Sequence, residues 1–143
     1  MDLASAEAAR RGDDSVDTVD VLVGMLREGK KSIAGNVLSF HCSVPVDVDL
    51  VLAGRQAVCD VPDVTLADLV SQSLLEVRWL NHNYVGTEHL LLAVCALVRS
   101  RGARLLTALG NRPVQVCSHV LDILGHFELD RWVADHPDAA QSR

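Results

Sequence analysis

The chain has 143 residues, enough for one domain whose core buries roughly two thirds of the unfolded surface. It is 49% hydrophobic but only 3% aromatic, so the core is aliphatic, and its net charge of −6 argues against nucleic acid, whose phosphates call for a basic face. No apolar run approaches the ~20 residues of a membrane span, and residues 1–11 carry no signal-peptide stretch, so a cytoplasmic protein with no membrane partner is expected.

The apolar periodicity is helical almost throughout, which predicts an all-α fold. Residues 3–10 read as a short helix. A second follows over 19–27, with Thr18 as its N-cap and Asp20 in the first turn, where a negative charge suits the helix dipole. Shorter helices are expected over 32–40 and 46–52, and Pro62-Asp63 marks a break. A long helix covers 65–80 and another 87–99. A third runs over 103–109 and ends at Gly110-Asn111. Pro113 then suits the first turn of a last helix reaching about residue 124. Residues 128–143 read as a loose tail, with Trp132 as the side chain that would dock back.

The four cysteines, Cys42, Cys59, Cys95 and Cys117, form no C-x-x-C pair. His41-Cys42 and Cys117-x-His119 are not usual zinc spacings. These thiols are therefore expected to be reduced and packed, with no metal and no cofactor.

The chain repeats itself at an offset of 69 positions. Glu7 falls on Glu76, Val16 on Val85, Thr18 on Thr87, Leu22 on Leu91, Ala34 on Ala103, Val51 on Val120 and Leu52 on Leu121. Apolar positions pair too, Val37 with Leu106 and Phe40 with Leu109. Two four-helix pseudo-repeats, about 1–54 and 65–125, are expected to pack with approximate twofold symmetry in one domain over 1–127.

The most information-rich stretch is "NHNYVGTEHLLLAV", residues 81–94. Its polar residues suit a helix start. Thr87 can cap through its hydroxyl, Gly86 permits the turn before it, and Glu88 sits in the first turn. Leu90, Leu91 and Val94 open a buried stripe, while Asn81 and Asn83 suit the preceding turn. The duplicate, "GDDSVDTVDVLVGML", keeps the cap and the stripe. In place of Glu88 and His89 it has Val19 and Asp20, and Asp13 stands where the second repeat has His82. No nucleophile or paired carboxylate accompanies His82 or His89 at readable spacing, and Cys95 falls in an apolar run, so no catalysis is expected.

"LNHNYVGTEHLLLAV", followed by "LLTALG", closely resembles the Clp N-terminal repeat domain that heads the Clp-type AAA+ unfoldases, above all the ClpC type. The likeness covers about residues 1–125, with "EAARRGDDSVDTVDVLVGMLREG" as the weaker first repeat. It implies an eight-helix, pseudo-twofold domain that binds substrates, adaptors or small ligands without catalysis of its own. Against that pattern the first helix is shortened, and the chain has no G-x-x-x-x-G-K-[ST] phosphate loop, which reads as a stand-alone copy lacking the motor. In family members that read phosphorylated arginine, the glutamate of each G-T-E-H helps bind the guanidinium. The resemblance thus implies one such site here, at Thr87, Glu88 and His89, because Val19 offers neither charge nor acceptor. The expected partners are unfoldase substrates, adaptors, degradation signals or a Clp-targeting peptide antibiotic, for which the chain would be a decoy. An adaptor or regulator docking on the unfoldase itself, and a structural dimerisation module, are the alternatives.

Overall fold

The computed structural model describes residues 16–125 and 128–140. The expected helix over 3–10, and with it the shortened start of the first repeat, lies outside the described residues.

Helix α1 (Thr18–Glu28) begins at Asp17. The Asp17 carboxylate accepts from the Asp20 amide at 2.8 Å while the Asp20 carboxylate accepts from the Asp17 amide at 3.0 Å, so two otherwise orphaned donors are satisfied reciprocally. The cap is therefore Asp17 and not Thr18. A 3-10 turn (Gly29–Lys31) leads to α2 (Ile33–Asn36), capped by Ser32, which widens into a π-helical turn over Val37–His41. Helix α3 (Val48–Val58) is capped by Asp47 and runs beyond the expected 46–52. Helix α4 (Leu66–Trp79) starts in a Thr65–Asp68 capping box. Then come α5 (Thr87–Ala96), α6 (Arg101–Ala108) and α7 (Pro113–Ile123), the last with proline at its first turn. Among the described residues there is no strand, and the fold is all-α.

Two helices form the centre. Leu91, Leu92, Ala93, Val94 and Cys95 of α5 are all fully buried, and α1 buries every residue from Thr18 to Leu26. A helix apolar on all sides must be surrounded. α1 lies against α3 and α6, and α5 lies against α4 and α7, while α2 crosses to α5. The repeats therefore interlock. Their caps do not keep a fixed offset: Asp17 answers to Gly86, Ser32 to Ser100 and Asp47 to Arg112, offsets of 69, 68 and 65. The gapless pairing of Leu52 with Leu121 consequently fails, since Leu52 is exposed and Leu121 buried. The extra residues of the first repeat form the π turn and a loop, which Asn111 holds by donating to the Val44 carbonyl at 2.8 Å and accepting from its amide at 3.2 Å.

The threonines join the repeats. The Thr18 hydroxyl accepts from the Gly102 amide at 2.7 Å and donates to Asp63. In the mirrored position the Thr87 hydroxyl stands 3.5 Å from the Ala34 amide. The difference follows from the residue that donates. A Cβ on Gly102 would lie 3.2 Å from Thr18 Cβ, so glycine permits the closer approach, and Ala34 carries the methyl that Gly102 lacks. Asp63, read from sequence as a mere break, accepts from the amides of Thr18 at 2.9 Å, Arg101 at 3.0 Å and Val64 at 2.8 Å. One carboxylate thus closes the starts of both α1 and α6.

The loose tail is corrected. Residues 128–140 form α8 (Leu129–Asp135) and α9 (Pro137–Ala140), and Trp132 is completely buried. The cause is Glu76, a fully buried carboxylate of α4. It accepts from Trp132 Nε1 at 2.9 Å, from His136 Nε2 at 2.5 Å and from Gln72 Nε2 at 3.1 Å. His136 Nδ1 donates to the Trp132 carbonyl, so both imidazole nitrogens face acceptors, an arrangement that favours the imidazolium. Trp79 Nε1 adds a bond to Asp135 at 2.8 Å. A buried carboxylate needs donors, because leaving it unpaired costs several kcal/mol.

Leu91→Ala is expected to lower stability in urea by about 2–5 kcal/mol, as for a fully buried leucine. Thr18→Ala is expected to cost about 1–3 kcal/mol, because it leaves the Gly102 amide without its acceptor, and Thr87→Ala distinctly less. A larger loss for Thr87→Ala than for Thr18→Ala would contradict this assignment of the caps.

Burial alone would lower the His136 pKa, but the hydrogen bond and charge of Glu76 outweigh it and raise the pKa above its ordinary value. The folded state therefore holds this proton more tightly than the unfolded chain. The clasp's contribution is complete below about pH 6.5 and declines as pH rises through the raised pKa. Tryptophan fluorescence followed in urea from neutral to alkaline pH should show that decline, and His136→Gln should abolish it.

Candidate functional site

The turn before α5 brings the sequence-predicted residues together with Tyr84 and His82. Asn81 takes the left-handed conformation (φ 57°), which a short amide side chain tolerates. The amide of His82 then donates back to the Val77 carbonyl at 2.9 Å. The chain turns through Tyr84 and Val85, both about half exposed. Gly86 is the N-cap with φ −117° and ψ −179°, an extended geometry open to any residue. Its lack of a side chain has another cause. Glu88 folds back across it, and a Cβ there would fall 2.4 Å from Glu88 Oε1.

His89 performs the local closure that sequence reading assigned to Thr87. Its Nδ1 accepts from the Gly86 amide at 2.9 Å. The proton of the neutral ring is then on Nε2, which donates to His82 Nδ1 at 2.8 Å. His89 is fully buried, with both ring nitrogens engaged. Tyr84 stacks on His82 with ring centroids 5.2 Å apart and meets His89 edge-on at 5.1 Å. The three rings make one wall.

Glu88 lies on that wall and is buried. Its hydrogen bond with the Tyr84 hydroxyl holds the phenol's pKa above the usual value. His89 Nδ1 is 3.4 Å from Glu88 Oε1, yet it already accepts the Gly86 proton and has none to give. Oε1 is consequently a buried carboxylate oxygen with no hydrogen-bond partner among the described residues. Such an atom normally finds a donor, and a cationic donor best satisfies it.

The first repeat treats the matching position differently. Val19 is fully buried at the edge of a small cavity of about 120 Å³. Arg55 of α3 reaches into that cavity and pairs with Asp17 at 3.1 Å and Asp20 at 2.8 Å. The Arg101 guanidinium stands 3.6 Å from Asp17 and donates to the carbonyls of Val61 and Cys59. Here the chain supplies its own guanidinium groups to its own helix start. Neither Arg55 nor Arg101 was legible as part of a site, since they lie 35 or more residues from the carboxylates or across the repeat boundary.

Comparison with known proteins agrees with this architecture. The chain is 34% identical over 130 residues to the chloroplastic chaperone protein ClpC2 of Oryza sativa subsp. japonica and to the chloroplastic ClpC1 of Arabidopsis thaliana, in each case over 86% of its own length and 14% of theirs. It is 35% identical to a ClpA homologue of Guillardia theta, described as an ATP-dependent Clp protease ATP-binding subunit. The chain is a Clp N-terminal domain-like relative of the ClpC and ClpA chaperones. No family model matches it. The similarity spans about one seventh of those proteins and does not extend to their ATPase modules, so catalysis is not indicated by it. Among the described residues no cluster of His, Cys, Asp and Glu is arranged to hold a metal ion, and no helix is long and apolar enough to cross a membrane.

Burial lowers the His89 pKa against the opposing charge of Glu88. The folded state keeps the ring neutral, so the unfolded chain binds the proton first as pH falls. Stability is therefore expected to drop below about pH 6.5, opposite in sign to the His136 effect. Urea midpoints measured between neutral and mildly acidic pH should show that slope, flattened in His89→Gln.

Proposed function

We propose that the chain is a non-catalytic recognition module of the cytoplasm that binds ligands, adaptors or degradation signals of a Clp unfoldase through the start of α5. The observation that carries this reading is the buried Oε1 of Glu88, without a partner among the described residues, beside the half-exposed Tyr84 and Val85. A guanidinium or other cationic donor entering there would satisfy a desolvated charge and stack on the aromatic wall. Thr87 and Glu88 are the ligand-contacting residues. His89 is the group that positions them, because both its nitrogens are engaged. The first repeat offers no second site of this kind among the described residues, since Arg55 already occupies its acidic helix start.

Acting as a decoy, the chain would withdraw a peptide antibiotic or other ligand from the unfoldase by mass action, so protection would saturate stoichiometrically. The test is a titration of the protein into a mixture of ClpC-type unfoldase, peptidase and a Clp-targeting peptide, following degradation of a model substrate. A decoy restores normal degradation only when the peptide is present. An adaptor alters it without the peptide. Glu88→Gln should weaken a guanidinium ligand by about 1.5–3 kcal/mol, and Val19→Ala should leave it unchanged. If the protein neither competes for ligand nor changes the machine's rate at roughly tens of micromolar, the recognition reading fails.

The structural dimerisation alternative has one observation in its favour. Leu66, Val70 and Leu74 repeat every four residues on the outer face of α4 and are 41%, 45% and 47% exposed. Light scattering on the purified chain decides it. A concentration-independent monomer removes this alternative.

A further inference from the structure

Outside the α5 helix start, the surface holds a groove of different chemistry. It runs between the end of α3, the α5–α6 connection and α6, with a volume of about 550 Å³. Its floor is aliphatic, with Val58, Val98 and Ala108 among the lining residues. Arg99 and Arg104 line it as well and are exposed. Neither side chain has a hydrogen bond or ion pair with another group among the described residues. This separates them from Arg101 between them in sequence, whose guanidinium is engaged with Val61, Cys59 and Asp17. Against two arginines the described lining has a single carboxylate, Asp138 of α9. The groove is thus locally cationic on a chain whose net charge is −6.

The start of α6 contributes no anion site of its own. The Arg101, Gly102 and Ala103 amides already donate to Asp63, Thr18 and Ser100. Free charge in the groove therefore comes from the two side chains, whose planar guanidinium forks match carboxylates. A simple inorganic anion makes no use of an aliphatic floor. The combination fits a ligand that alternates apolar and acidic side chains.

We propose that this groove binds an acidic, leucine-like apolar peptide segment of a partner protein, with its carboxylates on Arg99 and Arg104 and its apolar side chains on the floor. Charge complementarity selects this occupant. On a chain of net charge −6, an acidic segment is retained where cationic side chains face it. The site is independent of Glu88.

The test uses fluorescence anisotropy of the whole chain with three short fluorescein-labelled peptides: one alternating Glu and Leu, one alternating Lys and Leu, and one alternating Glu and Ser. Only the Glu–Leu peptide should bind. Arg99→Gln and Arg104→Gln should each weaken it roughly tenfold, and the double variant further. Added salt should weaken it as well. Glu88→Gln should leave it unchanged, which separates a failure here from a failure at the α5 helix start. Both arginines are exposed, so the variants should keep the parent's unfolding midpoint. A drop in midpoint would show that these side chains serve the fold and would overturn the proposal. Ala108→Asp, which places charge on the floor, is a second variant that should abolish binding. Equal binding of the Glu–Leu and Glu–Ser peptides, insensitivity to the arginine variants, or no binding up to about 1 mM would overturn the proposal. So would arginine-dependent sedimentation with phosphatidylserine vesicles in place of peptide binding.

Discussion

The contact on which the arrangement of the repeats depends is the one at Thr18. Its hydroxyl accepts the Gly102 amide and donates to Asp63, whose carboxylate also holds the amides of Thr18 and Arg101. Three segments distant in sequence meet there: the first central helix, the linker between repeats and the third helix of the second repeat. Helix starts leave amide donors unpaired, and a buried one is costly. By letting one carboxylate and one hydroxyl close two helix starts, the fold makes each repeat complete the other. The weaker counterpart at Thr87 and Ala34 shows the same exchange in the opposite direction, relaxed by a single methyl group.

The same rule governs the C-terminal segment. Glu76 is fully buried on α4, where an unpaired carboxylate would be untenable. Trp132 and His136 supply its donors, and in doing so fasten α8 and α9 to the domain. His136 and His89 are consequently opposites. His136 lies between two acceptors, which favours its charged form, and His89 lies between a donor and an acceptor, which suits the neutral ring. Burial acts on both: Glu76 overcomes it at His136, and at His89 burial prevails.

The repeats have diverged most where ligand chemistry would be expected. At the first helix start, valine replaces the glutamate and the chain's own arginine pairs with the two aspartates, giving a closed, internally neutralised corner. At the second, glutamate remains and one of its oxygens lacks a donor among the described residues. Duplication supplied two geometrically equivalent positions, and local substitutions left one with an unmet electrostatic requirement.

Helix content, the buried stripe through Leu91 and Val94, and the doubling of the chain were all legible in the sequence, because periodicity and short-range composition report local structure directly. The G-T-E-H helix start was legible in kind. Its internal wiring was not: Thr87 was read as the cap, while the Gly86 amide is met by His89, and Gly86 is small because Glu88 crosses it. The gapless offset also failed, by one residue at Ser32 and by three more after it, where a π turn and loop absorb extra residues without any punctuation in composition. Asp63, Arg55, Glu76 and His136 could not be placed in advance. Each is an ordinary polar residue until a partner 35 to 60 positions away is brought beside it. Sequence alone determined the main helical segments between 18 and 123 and their apolar faces, because those follow from neighbours along the chain, but not the helices of 128–140. Only the tertiary structure decided which polar groups are buried together, because desolvation is set by what surrounds a group in space and not by what precedes it in the chain.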